Sequence, residues 1–135
     1  VRQRPYSIKR VRDKKTGQIV EKFPNRTPTK REVRAFAPLF DWELATVQPR
    51  IIVPLGNTAL LRLLGPTANI GKLHGQRLTQ PIQQATADRK GYQWSTAKYT
   101  LVPMYHPAAV LYARRLMPTV QADWQALGKI IKEIK

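Results

Sequence analysis

The chain has 135 residues, 24 of them Lys or Arg against 8 Asp or Glu, and a formal net charge of +16. This excess is more than solubility requires and predicts a polyanionic partner, with nucleic acid the first candidate. Because the sequence has no cysteine, disulfides, cysteine-ligated iron–sulfur clusters and thiolate zinc sites are excluded within these residues, and an intracellular, cytoplasmic setting is expected.

The positive charge is spread along the chain. Residues 1–35 carry 12 basic and 3 acidic side chains, and residues 36–135 carry 12 and 5. The charge therefore belongs to the fold itself rather than to a detachable tail. The length is that of about one domain. Apolar runs of at most four or five residues predict a chain with no membrane span, and the first residues lack the apolar core of a signal peptide.

The first predicted element is a β-hairpin at about residues 6–24. Apolar and charged residues alternate on both sides of the segment DKKTG, whose Gly17 suits a left-handed turn position. The exposed face is densely cationic and includes Arg10 and Arg12. Two interpretations remain open, a basic arm that contacts nucleic acid and a solvated hairpin without function.

A helix is predicted next, from Thr29 to about Thr46. Thr29 and Glu32, three residues apart, form a capping box at its start. Pro38 should kink the helix or restart it after one turn. The apolar stripe of this helix consists of Val33, Phe36, Ala37, Phe40, Leu44 and Val47.

Residues 49–65, PRIIVPLGNTALLRLLG, predict a βα unit with a short strand, a turn at Gly56-Asn57 and a leucine-rich helix that ends at Gly65. The segment GKLHGQRL predicts a glycine-flanked loop, and QPIQQATADRKGY predicts a polar surface excursion. A second strand, YTLVPM, ends just before His106.

The last predicted element is a helix that begins at Pro118 or Thr119. Trp42 and Trp124 fall on predicted helices and are interpreted as core residues rather than as base-stacking platforms. The predicted fold class is α/β with a short, mainly parallel sheet. The apolar face of the last helix consists of Val120, Trp124, Leu127, Ile131 and Ile134.

His106 is singled out by its position just past the carboxyl end of a predicted central strand. Ligand crevices of open α/β sheets form at such strand ends. A histidine hydrogen-bonded to the backbone of a strand-end turn is the alternative. The residues after His106 favour a functional site over a turn histidine. They form an apolar wedge beside Arg114 and Arg115, which suits entry into a DNA duplex and extrusion of a base. The wedge segment consists of Pro107, Ala108, Ala109, Val110 and Leu111.

Four blocks of the sequence carry a family resemblance: NRTPTKREVRAFAPLF, VQPRIIVPLGNTALLRLLG, IGKLHGQ and LVPMYHPAAVL. In this order and spacing, residues 25–135 resemble the C-terminal two-thirds of a family-4-type uracil-DNA glycosylase. The resemblance implies a three-layer α/β/α sandwich around a parallel four-stranded sheet, here N-terminally incomplete. It also implies an enzyme that flips a deaminated base out of DNA and hydrolyses its N-glycosidic bond without a metal.

The resemblance also implies residue roles. His106 would hydrogen-bond the uracil O2 and stabilise the negative charge that develops as the base departs. Residues 107–111 match the minor-groove intercalation loop, with Val110 at the wedge position and Leu111 beside it. From the resemblance together with the positions of the basic residues, the residues expected to contact the DNA backbone are Gly56, Asn57, Lys72, His74, Gly75, Arg114, Arg115, Arg10 and Arg12.

The departures from the family concern cofactors. Family-4 enzymes hold an iron–sulfur cluster through four cysteines, and the two positions that fall in this chain are Gln3 and Phe36, so no cofactor is expected. A metal held by His74 and His106 would need a carboxylate. Asp88 is the nearest in sequence and lies in the polar excursion, so no metal is expected.

The residues that the family uses to read uracil, to activate water and to stack on the base would all precede Val1. A sheet that lacks its first strand exposes an apolar edge, which folded proteins avoid. We therefore expect the chain to form the C-terminal part of a single domain, completed by further N-terminal residues or a second chain, or to be inactive alone.

Two other functional classes stay open. One is a catalytically silent, basic DNA-binding protein of the same fold. The other is an RNA-bound structural protein, which the charge allows but which explains neither the His-Pro motif nor the βα unit.

Overall fold

The computed structural model describes residues 6–24 and 26–134. The mixed α/β class predicted from the sequence is confirmed. None of the helices in these two ranges is long and apolar enough to cross a membrane. The elements in chain order are β1 (Lys9–Arg12), β2 (Ile19–Lys22), α1 (Lys30–Val47), α2 (Gly56–Leu64), α3 (Ile70–Leu73), β3 (Leu78–Gln80), β4 (Gln83–Ala85), β5 (Tyr92–Trp94), β6 (Tyr99–Leu101), α4 (Ala109–Tyr112), a 3₁₀ turn (Arg114–Leu116) and α5 (Met117–Ile134).

The predicted hairpin is confirmed as the antiparallel pair β1 and β2. Gly17 has a φ of 71°, and its N–H donates to the Asp13 carbonyl at 2.8 Å. The Asp13 side chain accepts from the Lys15 N–H at 2.9 Å, which closes the turn locally. At the base of the hairpin, the rings of Tyr6 and Phe23 meet edge to face with centroids 5.3 Å apart.

The capping box at the start of α1 is confirmed. The Thr29 hydroxyl accepts from the Glu32 N–H at 3.2 Å, and the Glu32 carboxylate accepts from the Thr29 N–H at 2.8 Å. Arg26 donates to both carboxylate oxygens of Glu32, at 2.6 and 3.0 Å. The Arg26 hydrogen bonds and the Thr29 N–H together lower the pKa of Glu32 to about 2.

Helix α1 continues through Pro38 to Val47, so of the two expected effects of Pro38, a kink or a restart, the restart is wrong. Burial of Ala37, and packing of neighbouring side chains against the core, hold the turns on either side of the missing N–H. The apolar stripe is narrower than predicted, and Trp42 is not a core residue, because its side chain is 63% exposed. The other large apolar side chains of this helix that are exposed are Phe36, Leu39 and Val47.

The strand of the predicted βα unit is reduced to two parallel bridges, Ile52 with Leu101 and Leu55 with Met104. Both bridges have the same register. A regular parallel ladder would include one more backbone hydrogen bond, donated by the N–H of residue 54. This bond is missing because Pro54 has no N–H. The four bonds that remain run from Ile52 N to Thr100 O, Val102 N to Ile52 O, Met104 N to Pro54 O and Gly56 N to Met104 O, at 2.9 to 3.0 Å.

The strand pairs β1–β2, β3–β6 and β4–β5 are antiparallel. A mainly parallel sheet is therefore not seen in the described residues, where parallel pairing is limited to the two bridges. The predicted polar surface excursion contains the β4–β5 hairpin, whose tip at residues 87–90 is exposed. Ile82 at its base is fully buried and donates its N–H to the Ser95 hydroxyl at 3.0 Å. The predicted loop at GKLHGQRL includes the short helix α3.

The segment from β6 to Met104 has both faces buried. Leu101 packs in one cluster with Leu60, Leu63 and other residues of the α2 side. Val102 and Met104 pack with Leu127 of α5 on the opposite side. This alternation is the two-residue period of an extended strand with helices on both faces.

The last helix begins one or two residues before its predicted start, at Met117. Val120 and Leu127 are buried as predicted. Trp124 is not a core residue, since it is 43% exposed, and the neighbouring Asp123 is buried in its place. The side chain that faces the core between Val120 and Leu127 is therefore a carboxylate.

Helix α2 is anchored by Arg62. This side chain donates to the Asp41 carboxylate of α1 at 2.8 Å and to the Gln83 carbonyl at 2.7 Å. Asp41 also accepts from the Ala85 N–H at 2.8 Å, and the guanidinium lies 4.6 Å from the centre of the Tyr92 ring. One charged pair thus joins α1, α2 and the β4–β5 hairpin.

Substitution of Glu32 by Gln should lower the melting temperature Tm at neutral pH. The difference in Tm from the wild-type protein should disappear in acid. The pKa of Glu32 in the folded protein is depressed to about 2 from 4.5, so its stabilisation is present above about pH 4.5 and is lost as the pH falls towards 2. Thermal unfolding followed by circular dichroism across this range should show the two curves converging. Glu43→Gln, which changes an exposed carboxylate of the same helix, is the control. Equal effects of both substitutions would contradict the prediction.

Candidate active site

His106 lies two residues beyond the bridge at Met104 and is exposed. The backbone N–H of Ala108 donates to its Nδ1 atom at 3.1 Å. Because a backbone N–H can only donate, Nδ1 is the acceptor and the neutral ring carries its proton on Nε2. The turn therefore fixes the tautomer in which His106 offers an Nε2–H donor at the end of the strand.

Gly56, the first residue of α2, lies directly against His106. Its N–H donates to the Met104 carbonyl at 2.9 Å, and its φ is 80°. A Cβ atom on Gly56 would lie 3.4 Å from the His106 Cβ. The backbone angle favours glycine here, because an L-residue is strained at this φ, and an added Cβ would be in van der Waals contact with His106.

Asn57 has a structural partner in a neighbouring element. Its side-chain oxygen accepts from the Ile70 N–H of α3 at 3.4 Å. Lys72, also in α3, is exposed. The starts of α2 and α3 are thereby linked, and Lys72 lies on the surface beside them.

The His74 side chain contacts residues of two other parts of the protein. Its Nδ1 atom lies 2.7 Å from the Asp123 carboxylate, and its ring packs 4.8 Å from the Tyr105 ring. The next residue, Gly75, donates its N–H to the Pro103 carbonyl at 2.8 Å. The segment after α3 is therefore bound both to α5 and to the strand that leads to His106.

The turn after His106 forms the short helix α4, which presents apolar side chains to solvent. Val110 is half-buried, whereas Leu111 is 79% exposed and Tyr112 is 86% exposed. Sequence reasoning missed Tyr112. The signal that could have found it is an aromatic residue in an otherwise aliphatic turn that is followed by arginines.

The predicted basic contacts divide between two parts of the molecule. Arg114 and Arg115 follow α4 in the 3₁₀ turn and are exposed. Arg10 and Arg12 lie on the β1–β2 hairpin, where Arg10 forms an exposed ion pair with Glu21 at 3.7 Å. The structure thus brings His106, Gly56 and the α4 turn together, and the hairpin forms a second basic element.

A thiolate-ligated cluster does not fit this chain. The sequence has no cysteine, and the α1 position that the family resemblance associates with a ligand carries the phenyl ring of Phe36. The other such position, Gln3, lies outside the described residues. In the two described ranges, no group of three or more His, Cys, Asp or Glu side chains is placed to hold a metal ion.

The model of the uracil DNA glycosylase superfamily matches residues 3–128. The chain belongs to this superfamily. It is similar to the type-4 uracil-DNA glycosylase of Sulfurisphaera tokodaii, with 27% identity over 112 residues that make up 78% of this chain and 44% of that protein. It is also similar to the type-4 uracil-DNA glycosylase of Saccharolobus solfataricus, with 28% identity over 113 residues, 79% of this chain and 46% of that protein. The chain thus spans less than half the length of the curated relatives it matches.

The superfamily match confirms the resemblance drawn from the four sequence blocks. The matched residues include the β1–β2 hairpin, Gly56 and the whole segment from β6 to the 3₁₀ turn. His106 and the residues around it therefore lie inside the part of the chain that the uracil DNA glycosylase superfamily shares.

Gly56→Ala should disturb His106 as well as the fold. The added methyl group would impose backbone strain of about 1–3 kcal/mol and would be in van der Waals contact with the His106 Cβ, so relaxation of the strained backbone would move His106. Urea unfolding measures the first effect, and the ¹⁵N resonances of the His106 ring measure the second. Gly17→Ala is the matched control, because its φ is 71° but nothing lies within 4 Å of the new atom. Unchanged His106 resonances in Gly56→Ala would refute the contact.

Proposed function

We propose that this protein is a cytoplasmic DNA repair glycosylase that flips uracil, or a related deaminated base, out of duplex or single-stranded DNA and hydrolyses its N-glycosidic bond. The observation that carries the proposal is the fixed tautomer of His106 in a chain of the uracil DNA glycosylase superfamily. The N–H of Ala108 occupies Nδ1, and Nε2–H is left as a donor beside the start of α2.

His106 acts on the departing base. As the N-glycosidic bond breaks, electron density moves to the base, and a donor aimed at its O2 atom lowers the energy of that charge. A neutral imidazole suffices, because the chain already carries a net charge of +16 that favours the negative charge of the departing base. The orientation is set before the base arrives, so little reorganisation is needed during the reaction.

The α4 turn opens the DNA. The sequence placed the wedge at Val110, but Leu111 and Tyr112 are the side chains that project into solvent. An inserted apolar side chain fills the space that the extruded base leaves and pushes the neighbouring base pairs apart. We therefore assign the inserting role to Leu111, with Tyr112 beside it and Arg114 and Arg115 placed for the flanking phosphates.

The starts of α2 and α3 supply further backbone contacts. Gly56 lies against His106, Asn57 links the start of α2 to α3, and Lys72 is exposed on α3. Main-chain N–H groups and a lysine suit phosphate oxygens. His74 has its Nδ1–H committed to Asp123, so only a doubly protonated His74 could donate an Nε2–H to a phosphate. Gly75 serves chiefly to bring His74 into place.

A three-layer α/β/α sandwich with a mainly parallel sheet remains part of the proposal. Its support is the segment from β6 to Met104, which has helices on both faces and a parallel neighbour at Ile52. On the other edge of this neighbour, Ile51 and Val53 have no backbone partner among the described residues. An open edge of this kind calls for a further strand, from elsewhere in the protein or from a second chain.

The β1–β2 hairpin is proposed as a DNA-contacting arm. Lys9 lies directly opposite Lys22, and the strands and turn expose Arg12, Lys14 and Lys15. Like charges placed opposite one another destabilise a strand pair, so the free hairpin carries a repulsion that a phosphate relieves. This repulsion favours a DNA arm over a hairpin that serves only as a surface feature.

His106→Ala should lower uracil excision by roughly 100- to 1000-fold and leave DNA affinity nearly unchanged, because one preorganised donor to the developing charge is lost. Single-turnover kinetics on a uracil-containing duplex, with the intact protein in excess, measures the first quantity. Fluorescence anisotropy of labelled DNA measures the second.

Leu111→Ala is the matched variant for His106→Ala. It should weaken capture of the extruded base much more than it slows the chemical step, and more than Val110→Ala does. If His106→Ala only destabilises the fold and the remaining folded protein excises uracil normally, the catalytic role is wrong. If the intact wild-type protein binds DNA but releases no base, the chain is a silent DNA-binding member of its superfamily.

Replacing Arg10, Arg12, Lys14 and Lys15 with Gln should weaken binding to all DNA sequences alike. Each lost phosphate contact should flatten the slope of log K against log salt concentration by about 0.9. Anisotropy titrations at several salt concentrations give the slope. Lys129→Gln with Lys132→Gln, on the exposed face of α5, is the control and should change the slope less per charge removed. An unchanged slope in the hairpin variant would show that the hairpin points away from DNA.

A further inference from the structure

Asp123 is a buried carboxylate in a strongly basic chain. Among the acidic side chains that the structure describes, it alone is buried, with 9% exposure. Burial of a carboxylate costs several kcal/mol unless the charge is paired and hydrogen-bonded. Here the partner is His74, whose Nδ1 lies 2.7 Å from the Asp123 Oδ2 atom. Because a carboxylate can only accept, Nδ1 of His74 carries the proton.

The backbone just after α3 leaves room for the Asp123–His74 pair. Gly75 has a φ of 72°, and a Cβ atom there would collide with the Asp123 Oδ1 atom and come within 2.9 Å of its Cγ. The Gly75 N–H donates to the Pro103 carbonyl. Only glycine allows the carboxylate of α5 to approach this closely while the same residue binds the strand that leads to His106.

Tyr105 connects the Asp123–His74 pair to His106. The His74 ring packs against the Tyr105 ring, with centroids 4.8 Å apart and planes inclined by 33°. Tyr105 is half-buried against the core and immediately precedes His106. Beyond it, His106 and Pro107 are exposed, so the position of the turn depends on the few contacts at its base.

We propose that Asp123 and His74 are positioning residues for His106. Through Tyr105 they fix the place and angle at which the main chain leaves the strand, and thereby the direction of the His106 Nε2–H donor. The catalytic consequence rests on the proposed function of His106, whereas the effect on its ring does not. A displacement of about 1 Å at a reacting group can lower a rate roughly 100-fold, so this support bears directly on catalysis.

The first test compares two substitutions of Asp123. Asp123→Ala removes the acceptor and should lower single-turnover uracil excision by roughly 10- to 100-fold without a matching loss of DNA affinity. In the same variant, the ¹⁵N resonances of the His106 ring should change from those of a single Nε2–H tautomer to those of a mixture. Asp123→Asn keeps an oxygen that can accept from His74 and should restore most of the rate and the single tautomer.

The second test uses Tyr105, in case Asp123→Ala does not fold. Tyr105→Phe keeps the ring that His74 contacts and should retain the wild-type rate and His106 tautomer, whereas Tyr105→Ala should lose both. Glu133→Ala is the control, because Glu133 also joins α5 to the residues after α3, through an exposed ion pair with Arg77 at 3.4 Å. It should change neither quantity.

The positioning role is overturned if Asp123→Ala or Tyr105→Ala only lowers the melting temperature and leaves both the excision rate and the His106 resonances unchanged in the folded protein. If even the wild-type protein releases no uracil, the proposed function fails but the ring resonances still decide the positioning role. A mixture of tautomers in Asp123→Ala, with one tautomer in Glu133→Ala, would then support positioning alone.

Discussion

The hydrogen bonds between residues 52–56 and 100–104 determine where the site forms. They hold two extended segments in a single parallel register, and the last of them joins the Gly56 N–H to the Met104 carbonyl. Helix α2 therefore begins beside His106. A slip of one residue would exchange the faces of Leu101 and Val102 and move Gly56 away from His106. The missing bond at Pro54 shortens the strand without altering the register.

Three acidic side chains of this basic protein form ion pairs that join parts of the fold. Glu32 binds Arg26 at the start of α1, Asp41 binds Arg62 between α1 and α2, and Asp123 binds His74. The ion pairs of the described residues use arginine or histidine as the cation, which suits the planar, directional bonding of these groups. The lysines are left as exposed point charges, which attract phosphates without regard to sequence.

Local signals in the sequence predicted much of the fold. The β1–β2 hairpin, the capping box at Thr29 and the strand before His106 each depend on residues close together in the chain. The strands of the β4–β5 hairpin were missed because their contacts, including burial of Ile82 against α2 and the hydrogen bond from the Ala85 N–H to Asp41, involve helices distant in sequence. In α5 the spacing of apolar residues predicted the helix and the burial of Val120 and Leu127, but not the burial of Asp123 in place of Trp124.

The candidate site likewise contains some residues that the sequence predicted and others that only the structure shows. His106 and Gly56 could be predicted as site residues because strand ends and glycine turns have recognisable sequence patterns. The Asp123–His74 pair joins residues 49 positions apart, and only the packing of α5 against the sheet brings them together. Likewise, the sequence placed a wedge after His106, but the exposure of Leu111 and Tyr112 depends on how α4 turns after the strand.

The two histidines of the chain are held in opposite tautomers, and this separates their roles. At His106 a backbone N–H faces Nδ1, so the neutral ring donates from Nε2. At His74 a carboxylate faces Nδ1, so the neutral ring accepts at Nε2. His74 in its neutral form therefore cannot replace His106 as a donor to a departing base. A carboxylate placed next to His106 would also oppose the negative charge of the leaving base. The chain instead places its buried carboxylate one ring further back, behind Tyr105, where it can hold the main chain without entering the site.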